Sequence, residues 1–351
     1  ITGQKLERPV AYGASVSTDR GVVCIGGNDA ERVFSDVFLL RWDPENERVI
    51  QEPLPSLPEP RASAGAAVIG DTVYVAGGTT GLGLETAQRN FWLLDLSKAD
   101  GEWQRIGPWP GPSRAFAIVT AQHNGTNDCI YVMSGRRMGN DGEEFLTDVY
   151  EFTPTRYDPG ASEREAETRA GESNPWSQRT DVPRCVMAGT GIAVGQSHVF
   201  ILGGADGTLY PIADISQDEQ WDFPQEALAY HTITDTWTGA GPLPANHMTT
   251  TAVRWGTDTV NDPIVIASGE TRPRVGSPAV WQVRPLESEG RFGFVDFAAI
   301  FIYLGAMIGV GVFFSFRTKN TDDFFRGGQR VPWFVAGLSI FATMLSSITF
   351  V

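Results

Sequence analysis

Cysteine is scarce in this chain of 351 residues: Cys24, Cys129 and Cys185 each stand alone in an apolar, strand-like run. An odd number at wide spacing excludes a disulfide framework and a cysteine-based zinc site, and leaves buried thiols. Histidine is almost as scarce. His123, His198, His231 and His247 are scattered, and no Cys/His pair has ligand spacing, so no metal is expected in this part of the chain. Basic residues also run short, with 27 Lys and Arg against 42 Asp and Glu. The deficit lies in residues 1–290, which carry 22 basic and 39 acidic side chains. Such a surface repels nucleic acid and anionic membranes, so neither is expected as a partner of that region. No glycine loop opens a helix, which excludes a phosphate cradle of that kind.

Long apolar runs are missing until Phe297–Phe316, FAAIFIYLGAMIGVGVFFSF, which holds no charge. As a helix it would span roughly 30 Å, the thickness of a bilayer's hydrocarbon core, so the pattern predicts a transmembrane helix there in contact with lipid. A buried helix of a water-soluble core would show a polar face. The loop 317–330, RTKNTDDFFRGGQR, carries four Lys and Arg. By the positive-inside rule it is cytoplasmic, which places residues 1–290 on the periplasmic or extracellular side of a bacterial inner membrane. A second apolar run over 331–351 reads as the start of a second transmembrane helix, with 286–296 as linker. The chain opens without Met in mid-pattern and ends inside an apolar run, so further sequence is expected at both ends.

With 39 Gly and 22 Pro and no low-complexity tract, residues 1–285 read as short strands joined by turns, hence an all-β domain. A repeat emerges when the glycine pairs are aligned. VVCIGG, VYVAGG, YVMSG, VFILGG and VIASG place the pair at 26, 77, 134, 203 and 268. Each follows a small-residue strand and precedes a strand with an aromatic; several units close on a Trp (Trp103, Trp176, Trp237) before a Pro-rich turn. Four strands per unit with these marks make the kelch pattern of a β-propeller. The glycines are expected at tight bends near the axis, and the Trp as an apolar wedge between blades. Five blades are visible, Ile1–Pro9 reads as the tail of an earlier one, and six are expected in all. Long insertions at Thr153–Pro175 and Ala205–Glu226 are expected on one rim, shaping a pocket. A copper-propeller oxidase would need a Tyr, Cys and His set that this repeat does not assemble.

The stretches RPVAYGASVST, VVCIGGNDAERVFSDVFLLRWD, LAYHTITDTWT and SGETRPRVGSPAVW resemble the kelch-type N-acetylneuraminate epimerases (sialic acid mutarotases), above all their cyclically permuted branch. TDDFFRGGQRVPWFVAGLSIFATMLSSITF is similar to the start of the sodium/solute symporters, with their D-F-F-x-G-G-x-x-x-P-W and G-x-S. The first resemblance implies exchange of sugar anomers without a cofactor; the second implies Na+ held by backbone carbonyls where a helix breaks, by position those of Ala342 and Leu345.

Mutarotation needs one group to take the anomeric proton and one to protonate the ring oxygen. The epimerase resemblance implies a Glu and an Arg in G-E-x-x-P-G-x-R. Here Glu270 matches, Gly276 stands in the Arg position, and Arg274 stands where Gly is expected. Glu270 and Arg274 are therefore the expected catalytic pair, with Arg272 as a substitute. His231 alternates with apolar neighbours and is a candidate acid–base group if it faces the channel. His247 is a weaker one. Arg61, Arg114 and Arg184, each after Pro or Ser at the head of an inner strand, are candidates for binding an anionic sugar. The expected function is a sialic acid mutarotase domain beside a symporter importing the sugar acid. A sugar-binding domain without catalysis and a protein-interaction kelch domain are the alternatives.

Overall fold

The computed structural model describes residues 6, 8–158, 174–208, 223–256, 261–272, 275–284 and 293–317. Two compact units divide at Pro285, and the first holds the repeat.

The repeat folds as five antiparallel sheets. The first is β1 (Ala14–Thr18), β2 (Gly21–Ile25), β3 (Val37–Asp43) and β4 (Arg48–Leu54) in sequence order. The second is β5 (Gly65–Ile69), β6 (Thr72–Ala76), β7 (Phe91–Asp95) and β8 (Gln104–Ile106). The third pairs β9 (Ile118–His123), β10 (Asp128–Met133), β13 (Val149–Phe152) and β14 (Trp176–Arg179), with a hairpin, β11 (Arg136–Gly139) and β12 (Gly142–Phe145), between its middle strands. The fourth is β15 (Thr190–Val194), β16 (His198–Leu202), β17 (Glu226–His231) and β18 (Thr236–Pro242). The fifth shows three strands, β19 (Ala252–Arg254), β20 (Ile264–Ala267) and β23 (Val280–Val283), and its own hairpin, β21 (Glu270–Arg272) with β22 (Val275–Gly276). This is an all-β, five-bladed propeller, as the glycine pairs indicate.

The apolar core lies in the seams between blades. One cluster joins Val23 and Val37 of the first blade to Val73 and Trp92 of the second. Others join Phe91 to Phe152, and Tyr131 to Tyr230. Strands buried on both faces explain the continuous apolar runs in the middle strands. The tryptophans wedge as expected, and each also ties its blade to the one before. Nε1–H of Trp103 donates to the Pro55 carbonyl (2.7 Å), that of Trp176 to Gly107 (2.7 Å) and that of Trp237 to Thr180 (2.9 Å).

Two expectations need correction. The first glycine of a pair is crowded by the next blade and the second by the head of its own blade's inner strand: a Cβ at Gly26 would lie 2.1 Å from the Arg61 carbonyl oxygen, and one at Gly78 would lie 2.6 Å from that of Ala62. The two insertions do not share a rim. Because β13 and β14 run antiparallel, a loop after the third strand leaves the blade at the end opposite to a loop after the second. The insertion between β16 and β17 thus joins the rim of the glycine pairs, and the one between β13 and β14 joins the other. The middles of both lie outside the described residues.

In the second unit, α1 (Phe294–Arg317) forms a helix of 24 residues over the predicted apolar run. Among the described residues, no helix is long and apolar enough to cross a membrane. The loop 318–330 and the segment 331–351, with Ala342 and Leu345, lie outside the described residues.

A buried polar network locks the seam between the third and fourth blades. The Glu151 carboxylate, 1 % exposed, accepts from Arg179 through both oxygens (3.1 and 2.8 Å), from the Tyr131 hydroxyl (2.8 Å) and from Asn124 (2.9 Å). Across the seam, Tyr230 stacks edge-on against Tyr131 and donates to Asp235 (2.7 Å). Burial, then the neighbouring carboxylates, holds both tyrosine hydroxyls well above their ordinary 10.0, and burial followed by Glu151 pushes the Cys129 thiol from 9.0 up to about 12. These groups keep their protons in the fold while an unfolded chain releases them. The stability they contribute is therefore complete below the ordinary thiol range and is lost as pH rises through the tyrosine range. Denaturant midpoints measured between about pH 8 and 11 should fall steadily on the alkaline side; a flat profile would show that the hydroxyls ionise as readily in the fold as out of it.

Candidate functional site

A cavity of about 440 Å³ runs between the innermost strands of all five blades. Its walls are mostly Gly, Ala, Ser, Thr and Val, with Tyr12, Phe116, Ile118 and Ile192, and Arg254 is the charged residue among the described lining. That volume lies within the range of small-ligand sites.

The mouth of the cavity is built by a ring that no glycine marks. Tyr12, Ser63, Phe116, Ala188 and Thr249 precede the inner strands and hold φ of 53°, 53°, 58°, 55° and 55°. Left-handed backbone at β-branched or bulky residues costs of order 1–3 kcal/mol each and persists where the surroundings enforce it. Here a chain of hydrogen bonds from blade to blade enforces it. Ser63 N–H donates to the Tyr12 carbonyl (2.8 Å), Phe116 to Ser63 (2.8 Å), Ala188 to Phe116 (3.0 Å) and Thr249 to Ala188 (2.9 Å). The residue before each ring member pairs with the residue after a glycine pair: Ala11 with Asn28, Ala62 with Thr79, Ala115 with Arg136, Met187 with Ala205 and Met248 with Glu270. Five equivalent rim positions result, each one residue away from the cavity wall. Two of them are charged, Arg136 and Glu270.

Glu270 sits at the rim of the fifth blade, next to the glycine turn and outside the cavity lining. Its backbone is fixed on both sides by Met248 (N–H to O, 3.0 and 2.9 Å), and it is half-buried. Arg272 ends the same strand, β21, and Arg274 lies outside the described residues.

Five other candidates lie away from the cavity lining. Arg61 and Arg114 are 1 % and 0 % exposed. Arg61 pairs with Glu59 (2.9 Å), while Arg114 donates to Asp148 (2.7 Å) and the Ser134 carbonyl (2.9 Å) and stacks between Trp109 and Tyr150. Buried in the seams, both staple loops and neither lines the cavity. Arg184 is off their register, since Val186 holds the equivalent place before Met187; it donates to the carbonyls of Glu226 (3.0 Å) and Cys185 (3.3 Å). His231 ends β17, a third strand, on the rim opposite the glycine pairs. There it contacts Ser197 (3.2 Å), Thr234 (2.9 Å) and the His198 ring (4.6 Å between centroids). His247 is 4 % exposed and shares a hydrogen bond with the Ser268 carbonyl (2.9 Å), a structural role. Among the described residues, no group of three His, Cys, Asp or Glu could hold a metal.

Arg136 escaped the sequence reading, although its signal was there: it follows the third glycine as Glu270 follows the fifth. Its guanidinium lies 4.9 Å over the Phe116 ring, with Tyr12 edge-on to that ring at 5.9 Å, and it donates to Glu143 (3.0 Å).

Radial four-stranded sheets, glycine pairs at the seams and polar residues over a central cavity define a kelch-like β-propeller. The family profile described as NANM, N-acetylneuraminate epimerase, matches residues 54–291, and the chain belongs to that family. An N-acetylneuraminate epimerase of Haemophilus influenzae is 26 % identical over 242 residues, 62 % of this chain and 56 % of that protein. One of Salmonella typhi is 23 % identical over 254 residues, covering 65 % and 57 %. A shorter match, 63 % identical over 59 residues, is to the sodium/sialic acid symporter SiaT of Proteus mirabilis, 17 % of this chain and 12 % of that protein. The chain thus spans little more than half of these epimerases and a small part of the symporter. A solved structure titled "Structure of YjhT" shares the fold, with a TM-score of 0.57 at 16 % identity over 80 % of this chain and 83 % of that one.

Proposed function

We propose that the propeller interconverts the anomers of sialic acid (N-acetylneuraminate) or a related sugar acid on the periplasmic side of a bacterial inner membrane. In this reading it is joined to a sodium/solute symporter that imports the product with Na+. One observation carries it: two unrelated parts of the similarity, an epimerase family over 54–291 and a sodium/sialic acid symporter over 59 residues, name the same sugar. The uncharged run 297–316 of the sequence is the basis for the membrane anchor in this reading. Six blades remain the expected number. In support, a cleft of about 440 Å³ between Tyr12, Cys24, Phe38 and Thr249 lies beside the first blade and the head of the fifth, where a further blade would seat.

Glu270 is the proposed proton acceptor at the anomeric hydroxyl, since its hairpin holds it at the rim of a cavity open to the sugar. A tethered mutarotase raises the local supply of the anomer that a symporter takes. The test follows fresh α-N-acetylneuraminate by proton NMR as it decays to the β anomer. With the protein present, decay should run well above the buffer rate. Decay at the buffer rate would overturn catalysis on this sugar, and measured binding without acceleration would favour a non-catalytic domain that hands the sugar on. That second reading has its own support in Gly276, which replaces the Arg implied by the epimerase pattern.

A further inference from the structure

We infer that Arg136, from the third blade, is the carboxylate-binding residue of this site and takes the place that Gly276 leaves without an arginine. The inference rests on the proposed sugar acid substrate and deepens it. Three observations place Arg136 for the role. It occupies the same rim position as Glu270, one residue past a glycine with φ of 102° in each case, and both hydrogen-bond back to the head of an inner strand. Its backbone is fixed by Ala115 from both sides (2.8 and 2.9 Å), so the side chain starts one residue from the cavity wall at Phe116. The guanidinium is set over the Phe116 ring and braced by Glu143 from β12, which leaves its side chain 15 % exposed.

That arrangement suits a planar anion. Arginine presents a rigid fork that matches a carboxylate, and a fork laid over an aromatic face is held in orientation before the ligand arrives. The Tyr12 and Phe116 rings offer apolar surface beside it for the C–H face of a sugar ring. Glu270 occupies the equivalent rim position two blades away. Glu143 competes for the fork, so the site favours a ligand that brings its own carboxylate over a neutral sugar only by the strength of the second contact.

The experiment titrates the full chain, in detergent, with N-acetylneuraminate and with its methyl ester, which keeps the ring and removes the charge. The unaltered protein should bind the acid about tenfold or more tightly than the ester, a difference of the size expected for one charged hydrogen-bonded contact. Arg136→Ala should abolish that preference and leave ester affinity unchanged, and Arg136→Lys should recover part of it. Arg137→Ala, whose partner is Glu144 on the same hairpin, should behave as the unaltered protein. Retention of the preference in Arg136→Ala overturns the assignment, as does its absence in the unaltered protein. A parallel loss for acid and ester would assign Arg136 a structural role and equally overturn it. The anomer exchange assay separates the two claims. Exchange with the preference intact in Arg136→Ala would sink this assignment alone; a preference that depends on Arg136 without exchange would sink catalysis alone.

Discussion

Replacing Arg179 with Met should destabilise the propeller by about 3–5 kcal/mol, because it strands the Glu151 carboxylate in a seam where it is 1 % exposed. The side-chain contacts left to it, Tyr131 and Asn124, are neutral. Glu151→Gln should cost less, about 1–3 kcal/mol, since it removes the charge and keeps part of the hydrogen bonding. The ordering follows from desolvation: a buried charge without its partner is worse than a buried amide. Combining the two changes should therefore cost clearly less than their sum, which a double-mutant cycle by denaturant titration would show. Simple additivity would mean that the pair contributes through packing alone.

Glu270→Gln should lower catalysed anomer exchange by about 100-fold or more while sugar binding changes little. The amide fills the same volume and leaves the backbone pairing with Met248 untouched, so β21 and β22 keep their register. What it loses is the capacity to take a proton, and general base catalysis depends on that alone. Exchange at the unaltered rate in Glu270→Gln would move the base elsewhere on the rim. A collapse of binding together with exchange would make Glu270 a ligand contact instead.

Much of the fold was legible in the chain because it is written locally. A glycine pair after a strand of VYVA or VFIL type has one cheap explanation, a left-handed turn, and the same turn recurs at Ser134–Gly135 and Ser268–Gly269 in the third and fifth blades. Trp103, Trp176 and Trp237 were legible for the same reason, although their donation to the preceding blade was not. Arg61 and Arg114 misled. An arginine at the head of a strand reads as a charge facing a channel, yet Asp148, 34 residues after Arg114, draws its guanidinium into the seam. His231 misled through alternation, which names the face of a strand but not which end of the blade it occupies.

The sequence by itself determined the class of strand, the number of visible repeats, the apolar helix after residue 293 and the candidacy of Glu270. Each depends on neighbours within one repeat or one turn. Only the tertiary structure decided which charges share a rim. The arc from Tyr12 to Thr249 is linked by hydrogen bonds between residues some 50 to 70 positions apart, and none of its members is a glycine that would betray the turn. Arg136 and Glu270 share a rim because five blades turn around one axis, a relation that exists only once the seams have packed.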